Sequence, residues 1–317
     1  MALYLGFDTS NYTTSAAVYD SDARRVIHRK QLLCVRSGAL GLKQSDAVFA
    51  HVKQLPQILE GLFFAVRQEL SAPIAAVGAS VRPRSQEGSY MPCFLVGELA
   101  ARSVAATQGV PFYPLSHQNG HIAAALYSAG RLDLIGQEFI AFHLSGGTTE
   151  CVHVTPDEQE VFSAQVLSQS MDLKCGQAID RVGAMLGLSF PAGKELDALS
   201  LKSEKKFSIR TTFRDGNCCI SGLENQCARM VREGALPEDV ARYCIEYVCA
   251  VVRQMALDAR EALPGRPLIF SGGVMSNSLI RQRLTEELGG FFAQPEFSAD
   301  NAAGIAVLTA QRSGCRV

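Results

Sequence analysis

The sequence predicts two similar α/β lobes, and three observations carry that expectation. First, an apolar strand, a hydroxyl-rich turn and a second apolar strand run through residues 3–19, Leu-Tyr-Leu-Gly-Phe-Asp-Thr-Ser-Asn-Tyr-Thr-Thr-Ser-Ala-Ala-Val-Tyr. Second, the theme returns at 139–154, Phe-Ile-Ala-Phe-His-Leu-Ser-Gly-Gly-Thr-Thr-Glu-Cys-Val-His-Val. Each segment reads as a hairpin whose tight turn offers backbone N–H groups and hydroxyls. Third, the apolar run Leu268-Ile-Phe-Ser ends in Gly272-Gly273, and a helix is expected to open at Met275. A glycine pair at the end of a strand admits a ligand close to the backbone, and the following helix N-terminus favours anions. The length of 317 residues suits one large or two medium domains.

Together these turns outline a nucleotide cleft between two lobes of the actin, hexokinase and Hsp70 (ASKHA) type. Lobe I is expected to hold residues 1–130 and about 297–317, with the first hairpin and the C-terminal helix. Lobe II is expected to hold 131–296 and the nucleotide turns. Residues 48–70 carry apolar positions at helical spacing, interrupted by Pro56. A long helix is expected from Pro237 to Leu263, with Pro-Glu-Asp at its start and Pro264-Gly265 beyond its end. Its stripe of Val240, Cys244, Val248, Val251 and Met255 reads as core. Lys202 through Arg214 is expected to be a surface loop. It is the densest basic stretch together with Arg24, Arg25, Arg29 and Lys30, and a solvated face is the reading for both.

The most informative pair is His117 and His121, in Ser-His-Gln-Asn-Gly-His. On a helix, positions i and i+4 stand one above the other, so two imidazoles there can grip one divalent cation. Ser116 reads as the N-cap, and Pro114 fits a helix start there.

Composition excludes several classes. The formal net charge is −1, so no global basic field points to nucleic acid, and any RNA contact must be local. No apolar stretch approaches the roughly 18 residues of a membrane span. The N-terminal run lacks a basic region and a long apolar core, so no leader is expected. Ten Cys without a C-x-x-C pair suit a reducing cytoplasm, with Cys used mainly as a small apolar residue.

Six motifs in order complete the pattern: Gly6-Phe-Asp-Thr-Ser10, His117-x-x-Gly-His121, Ser145-Gly-Gly147, Asp180-Arg-Val-Gly-Ala-Met-Leu-Gly-Leu-Ser-Phe-Pro-Ala-Gly193, Gly272-Gly-Val-Met-Ser-Asn277 and Asp300-Asn301. Through these the chain resembles the tRNA N6-adenosine threonylcarbamoyltransferases, the TsaD family, over nearly its whole length. The resemblance implies a metal held by His117, His121 and Asp300. Two neutral imidazoles and a carboxylate leave coordination positions open, and the donor types admit iron, zinc or manganese, with iron or zinc expected. It implies an adenylate or ATP-type ligand against His143, Leu144, Ser145, Gly146 and Gly147. Asp180 and Asp197 would meet the ribose hydroxyls, Gly193 would give room for the nucleoside, and Asn277 would meet the adenine end. It implies an acyl-adenylate substrate, tRNA as acceptor, a paralogous subunit and an accessory ATPase, with no membrane and a cytoplasmic setting. No catalytic residue is assigned.

Three positions depart from the family pattern. An acidic pair is replaced in Asn11-Tyr12-Thr13-Thr14; a Gly-Pro-Gly-Leu loop is replaced by Val81-Arg-Pro-Arg-Ser-Gln-Glu-Gly-Ser-Tyr-Met-Pro92; and Ser-Gly-Gly-His-Thr becomes Ser145-Gly-Gly-Thr-Thr149. These changes keep open a divergent paralogue carbamoylating another acceptor, or a non-catalytic nucleotide-binding scaffold. A phosphotransferase would not need the two-His grip. A metalloprotease would need Glu in His-Glu-x-x-His, and position 118 is Gln.

Overall fold

The computed structural model describes residues 2–10, 12–34, 42–69 and 72–317. The chain forms two compact units: Met1–Gly136 with Pro156–Ser163 and Asp300–Val317, and Gln137–Thr155 with Ala164–Ala299. The sequence division at 130 and 297 did not separate out the short stretch 156–163.

In the first unit, β1 (Leu3–Ser10), β2 (Thr13–Asp20) and β3 (Arg25–Leu32) form an antiparallel meander. Helix α1 (Gln44–Glu69) leads to β4 (Ile74–Arg82), α2 (Phe94–Gln108) leads to β5 (Phe112–Ser116), and α3 (His117–Ser128) follows directly. The sheet order is β3-β2-β1-β4-β5, with β4 and β5 parallel to their neighbours. Strands β1 and β2 are buried along their whole length, so their sequences read as continuous apolar and small runs rather than alternating ones.

Two expectations are corrected here. Helix α1 continues through Pro56. The buried face, His51, Leu55, Ile58, Leu62 and Val66, runs past the proline on both sides. Pro56 itself is exposed, where the carbonyl it leaves unbonded can reach water. Pro114 lies in β5, opposite Ala79, not in the helix start. That strand is the sheet edge, where a missing N–H is tolerated.

In the second unit, β6 (Phe139–Leu144), β7 (Thr149–Asp157) and β8 (Val161–Gln169) give the second hairpin and its extension. There follow α4 (Cys175–Met185), α5 (Gly193–Ser200), the small ribbon β9 (Thr212–Arg214) and β10 (Asn217–Cys219), α6 (Ser221–Arg232) and α7 (Pro237–Ala262). Then come β11 (Leu268–Ser271), α8 (Ser278–Leu288) and β12 (Phe291–Phe292), with sheet order β12-β11-β6-β7-β8. The expected stripe of α7 is fully buried, and its Cys244 lies in one core with Cys175, Cys218 and Cys227. All ten Cys are unpaired. The basic stretch from Lys202 is an exposed loop leading into β9. The helix after Gly272-Gly273 starts later than expected: Gly273–Ser276 make a single 3-10 turn, and Asn277 caps α8 by accepting from the Ile280 N–H at 3.0 Å. The last helix, α9 (Ala303–Arg312), returns to the first unit. Among the described residues no helix is long and apolar enough to cross a membrane.

Candidate metal centre and nucleotide turns

Helix α3 begins as its sequence dictates. Ser116 is its N-cap in extended backbone, and its hydroxyl accepts from the Asn119 N–H at 3.2 Å. His117 and His121 then lie on one face, edge to face, with ring centroids 4.3 Å apart. Asp300 arrives from 179 positions further along the chain than His121 because α9 lies unusually close to α3. A Cβ on Gly304 would fall 1.8 Å from the Gly120 carbonyl oxygen, and one on Gly120 would fall 2.9 Å from Ile305. Gly304 therefore needs to be glycine, since its obstacles are backbone, whereas a Cβ at Gly120 would press on the movable end of the Ile305 side chain. Asn301, next to Asp300, accepts from the Ala303 N–H at 3.0 Å, which fixes the turn leading into α9.

Asp300 Oδ1 lies 3.2 Å from His121 Nε2 and 3.7 Å from His117 Nε2. One donor atom from each of the three residues falls within 4.8 Å of the others, and this is the one such His/Cys/Asp/Glu group among the described residues. All three residues are half-buried, as an accessible cation site requires. The donor set fits a divalent metal: two imidazole nitrogens and one carboxylate oxygen, converging, with room for further ligands. Burial disfavours the charged form of His117, yet the carboxylates of Asp8 and Asp300 outweigh it and push its pKa up to about 9.

Sequence reasoning missed Asp8 as part of this arrangement. Its carboxylate is wholly buried and sits 3.1 Å from His117 Nδ1. The motif Gly6-Phe-Asp-Thr-Ser10 contained the residue, but no local signal pairs positions so far apart. A second missed feature holds the N-terminus of α3. The buried Asn119 amide donates to the Phe162 and Glu160 carbonyls at 2.9 and 3.1 Å. Glu160 forms an ion pair with Arg82 and accepts from the Ser85 hydroxyl.

This network alters the reading of the loop after β4. Arg82 is matched by Glu160, with both side chains mostly buried, so its charge is spent within the unit. The first turn is likewise committed. Thr13 is buried; the Thr14 hydroxyl donates to Gln54 and bonds His51 Nδ1, both at 2.8 Å. Because that hydroxyl hydrogen goes to Gln54, His51 Nδ1 is the donor. Burial lowers the His51 pKa, so the ring is neutral. Asn11 lies outside the described residues.

The second unit brings the nucleotide candidates onto neighbouring turns. Between β6 and β7, the Ser145 N–H donates to the Thr148 carbonyl at 2.8 Å, and the Ser145 hydroxyl accepts from the N–H groups of Gly147 and Thr148. A Cβ on Gly146 or Gly147 would meet nothing within 4 Å, whereas one on Gly176, at the start of α4, would strike the Ser145–Gly146 backbone. His143 Nδ1 faces the Ser271 hydroxyl at 3.1 Å, and that hydroxyl donates to the Phe142 carbonyl. Leu144 is buried, its carbonyl pressed against Gly272, which has φ +95. Asp180 Oδ1 accepts from the Ala192 N–H at 2.9 Å, and burial raises its pKa. Both oxygens of Asp197 are taken by Ser278, at the start of α8. Gly193 and Gly273 border open space, and the Asn277 side chain is buried in its capping bond.

Architecture and donor set define a class: a two-lobed α/β protein of the actin, hexokinase and Hsp70 type, with a His-His-Asp cluster on its first unit. Among solved structures, HypF of T. kodakarensis superposes with a TM-score of 0.62 at 12% identity, over 99% of this chain and 47% of that one. Component A of the Acidaminococcus fermentans (R)-2-hydroxyglutaryl-CoA dehydratase gives 0.58 at 16% identity, over 99% of this chain and all of that one. The TsaD family, tRNA N6-adenosine threonylcarbamoyltransferase, matches residues 39–307. The tRNA N6-adenosine threonylcarbamoyltransferase of Aromatoleum aromaticum is 30% identical over 98% of this chain and 91% of its own length. The chain belongs to the TsaD family.

Proposed function

We propose that this protein is a metal-dependent acyltransferase that moves a threonylcarbamoyl group from threonylcarbamoyl-adenylate to a tRNA adenosine next to the anticodon. The observation that carries the reading is the convergence of His117, His121 and Asp300 in a chain of the TsaD family. Iron or zinc fits the two imidazoles and one carboxylate equally well, and such a metal supplies Lewis-acid polarisation of the substrate carbonyl oxygen. The protein's own residues would bind and orient. The open turn at Gly146 and Gly147 admits the phosphate, and Asp180, with Oδ1 held by Ala192, keeps Oδ2 for a ribose hydroxyl. Asp197 and Asn277 would act from their fixed places at the start of α8, the former through remaining carboxylate lone pairs. A paralogous subunit and an accessory ATPase are consistent with the apolar side chains that α1 and α2 leave exposed, Phe49, Val52, Phe64, Leu95 and Leu99.

The test pairs binding with complementation. Gly146→Val should fold normally, since its Cβ meets no protein atom, and should weaken adenylate binding measured by calorimetry. Cells depleted of their own threonylcarbamoyl transferase, supplied with this chain and its cognate partners, should regain the modified adenosine in their tRNA. A folded protein that binds metal and adenylate but restores no modified nucleoside would refute tRNA as acceptor. A second reading, carbamoyl-type transfer to another acceptor, is favoured by one feature. Thr13 is buried and Thr14 is hydrogen-bonded inside the unit, so neither replaces an acidic group as base.

A further inference from the structure

Asp8 lies on β1, the central strand of the first sheet, opposite Ser15 of β2. The Ser15 hydroxyl donates to its carbonyl at 3.0 Å. Its side chain projects to the face where α9 packs on Gly6, two residues earlier in the strand. There Oδ1 accepts from the Ser80 hydroxyl and faces His117 Nδ1, while Oδ2 is buried with no hydrogen-bond partner. A buried carboxylate with one oxygen unsatisfied is costly unless a positive charge lies close by. The Ser80 hydroxyl spends its hydrogen on Oδ1, and an ionised carboxylate only accepts, so the hydrogen between Asp8 and His117 belongs to the imidazole Nδ1. The other ring nitrogen, Nε2, is the one that faces Asp300.

We propose that Asp8 is the positioning residue of the metal centre: its buried carboxylate fixes His117 as the Nδ1–H tautomer and turns the Nε2 lone pair toward the cation. This rests on the metal reading of His117, His121 and Asp300. Carboxylates that orient a ligand imidazole through its second nitrogen act in this way, and losing one costs about 10–100-fold in metal affinity. Asp8 also places a second negative charge next to a cation site that holds one carboxylate ligand, which raises affinity for a divalent ion. Asp8 itself does not reach the ligand set, whose converging group is His117, His121 and Asp300.

The test uses the full-length protein and Zn(II) in competition with a chromophoric chelator. Wild type should bind one equivalent; His121→Ala should lose it; Asp8→Asn, which keeps the shape but not the charge, should keep one equivalent with roughly 10–100-fold weaker affinity. In parallel, 15N spectra of the Zn-loaded wild type should show His117 protonated at Nδ1 and metal-bound at Nε2, a readout that needs no variant to fold. Unchanged affinity in Asp8→Asn, or metal on Nδ1 of His117, would overturn the assignment to Asp8 while leaving the metal site standing. Full metal binding by His121→Ala would overturn the metal reading and the role of Asp8 with it.

Discussion

Substituting Gly304 by alanine should dismantle the proposed metal centre from a position that touches none of its donors. Alanine is the better helix former by about 1 kcal/mol, so propensity alone predicts a more stable α9. Packing predicts the reverse. The added Cβ would lie 1.8 Å from the Gly120 carbonyl oxygen and 2.7 Å from the Ala124 nitrogen. Carbon–oxygen contacts settle near 3.3 Å, so the two helices must separate by roughly 1.5 Å. Both obstructing atoms are backbone, and neither can rotate away. Overpacking of this kind costs about 1–3 kcal/mol, and a backbone-to-backbone clash belongs at the top of that range. Net of propensity, a loss of about 2 kcal/mol is expected, or a fall in Tm of roughly 4–8 °C. Asp300 lies four residues before Gly304, in the turn that leads into α9, and metal–ligand distances keep within about 0.2 Å of their standard values. Zn(II) affinity should therefore collapse. Chelator competition and thermal unfolding, run on wild type and Gly304→Ala, check both statements. A variant as stable as wild type that still binds one tight equivalent would show that the close crossing of α3 and α9 does not place Asp300.

Two further outcomes follow from the second unit. Gly272→Ala should cost about 2–4 kcal/mol, because φ is +95 and the Cβ would fall 2.1 Å from the Leu144 carbonyl oxygen, whereas Gly273→Ala, bordering open space, should be near neutral in chemical denaturation. Burial alone would raise the pKa of Asp172, but hydrogen bonds from the Ser221 hydroxyl and the Ile220, Ser221 and Leu173 N–H groups lower it to about 2. A folded pKa below the unfolded value stabilises above pH 4 and is lost as pH falls from 4 to 2. Asp172→Asn should thus lose about 1 kcal/mol at neutral pH, a figure held down by the exposure of the carboxyl, and the gap to wild type should close across that acid window.

The parts of the fold written in local chemistry were legible. Both hairpins, the Ser116 cap, the α7 stripe and the basic loop from Lys202 follow from period, capping residues and turn residues, and the structure has each of them. The His pair was legible because four-residue spacing has one meaning on a helix. What was misread involves competition between local rules. Proline was given the power to break α1, but a continuous buried face outweighed one lost bond on the wet side. The start of α8 was placed at Met275, although Asn277, the better cap, stood two residues on. What could not be read at all is long-range. The tie of Asp8 to His117 spans 109 positions, and the fixing of Asn119 by Glu160 and Phe162 spans about 40. Glycine at 120 and 304 carried a signal, but its meaning, two backbones in contact, required knowing which helices cross.

The departures from the family pattern bear on the acceptor, and the structure changes what they can mean. Arg82 and Arg84 lie in the segment that replaces a family loop, and Thr13 and Thr14 lie in the turn that lacks the family's acidic pair. In the fold, Arg82 neutralises Glu160, whose backbone carbonyl in turn accepts from the amide of Asn119 in α3. An ion pair so placed is costly to break and adds no net charge to a neighbouring surface. Its work is to hold α3. Thr14 anchors His51 of α1, and Thr13 is packed away. Three of the four altered side chains therefore serve the architecture of the first unit. Of the first turn's described residues beyond Ser10, Tyr12 alone remains substantially exposed, at 41%. A tyrosine hydroxyl offers a hydrogen-bond donor rather than the carboxylate of an acidic residue. The acidic function missing from this turn is thus not restored within it. An attacking amine would have to meet its proton acceptor on the substrate, on a partner chain, or elsewhere on this protein.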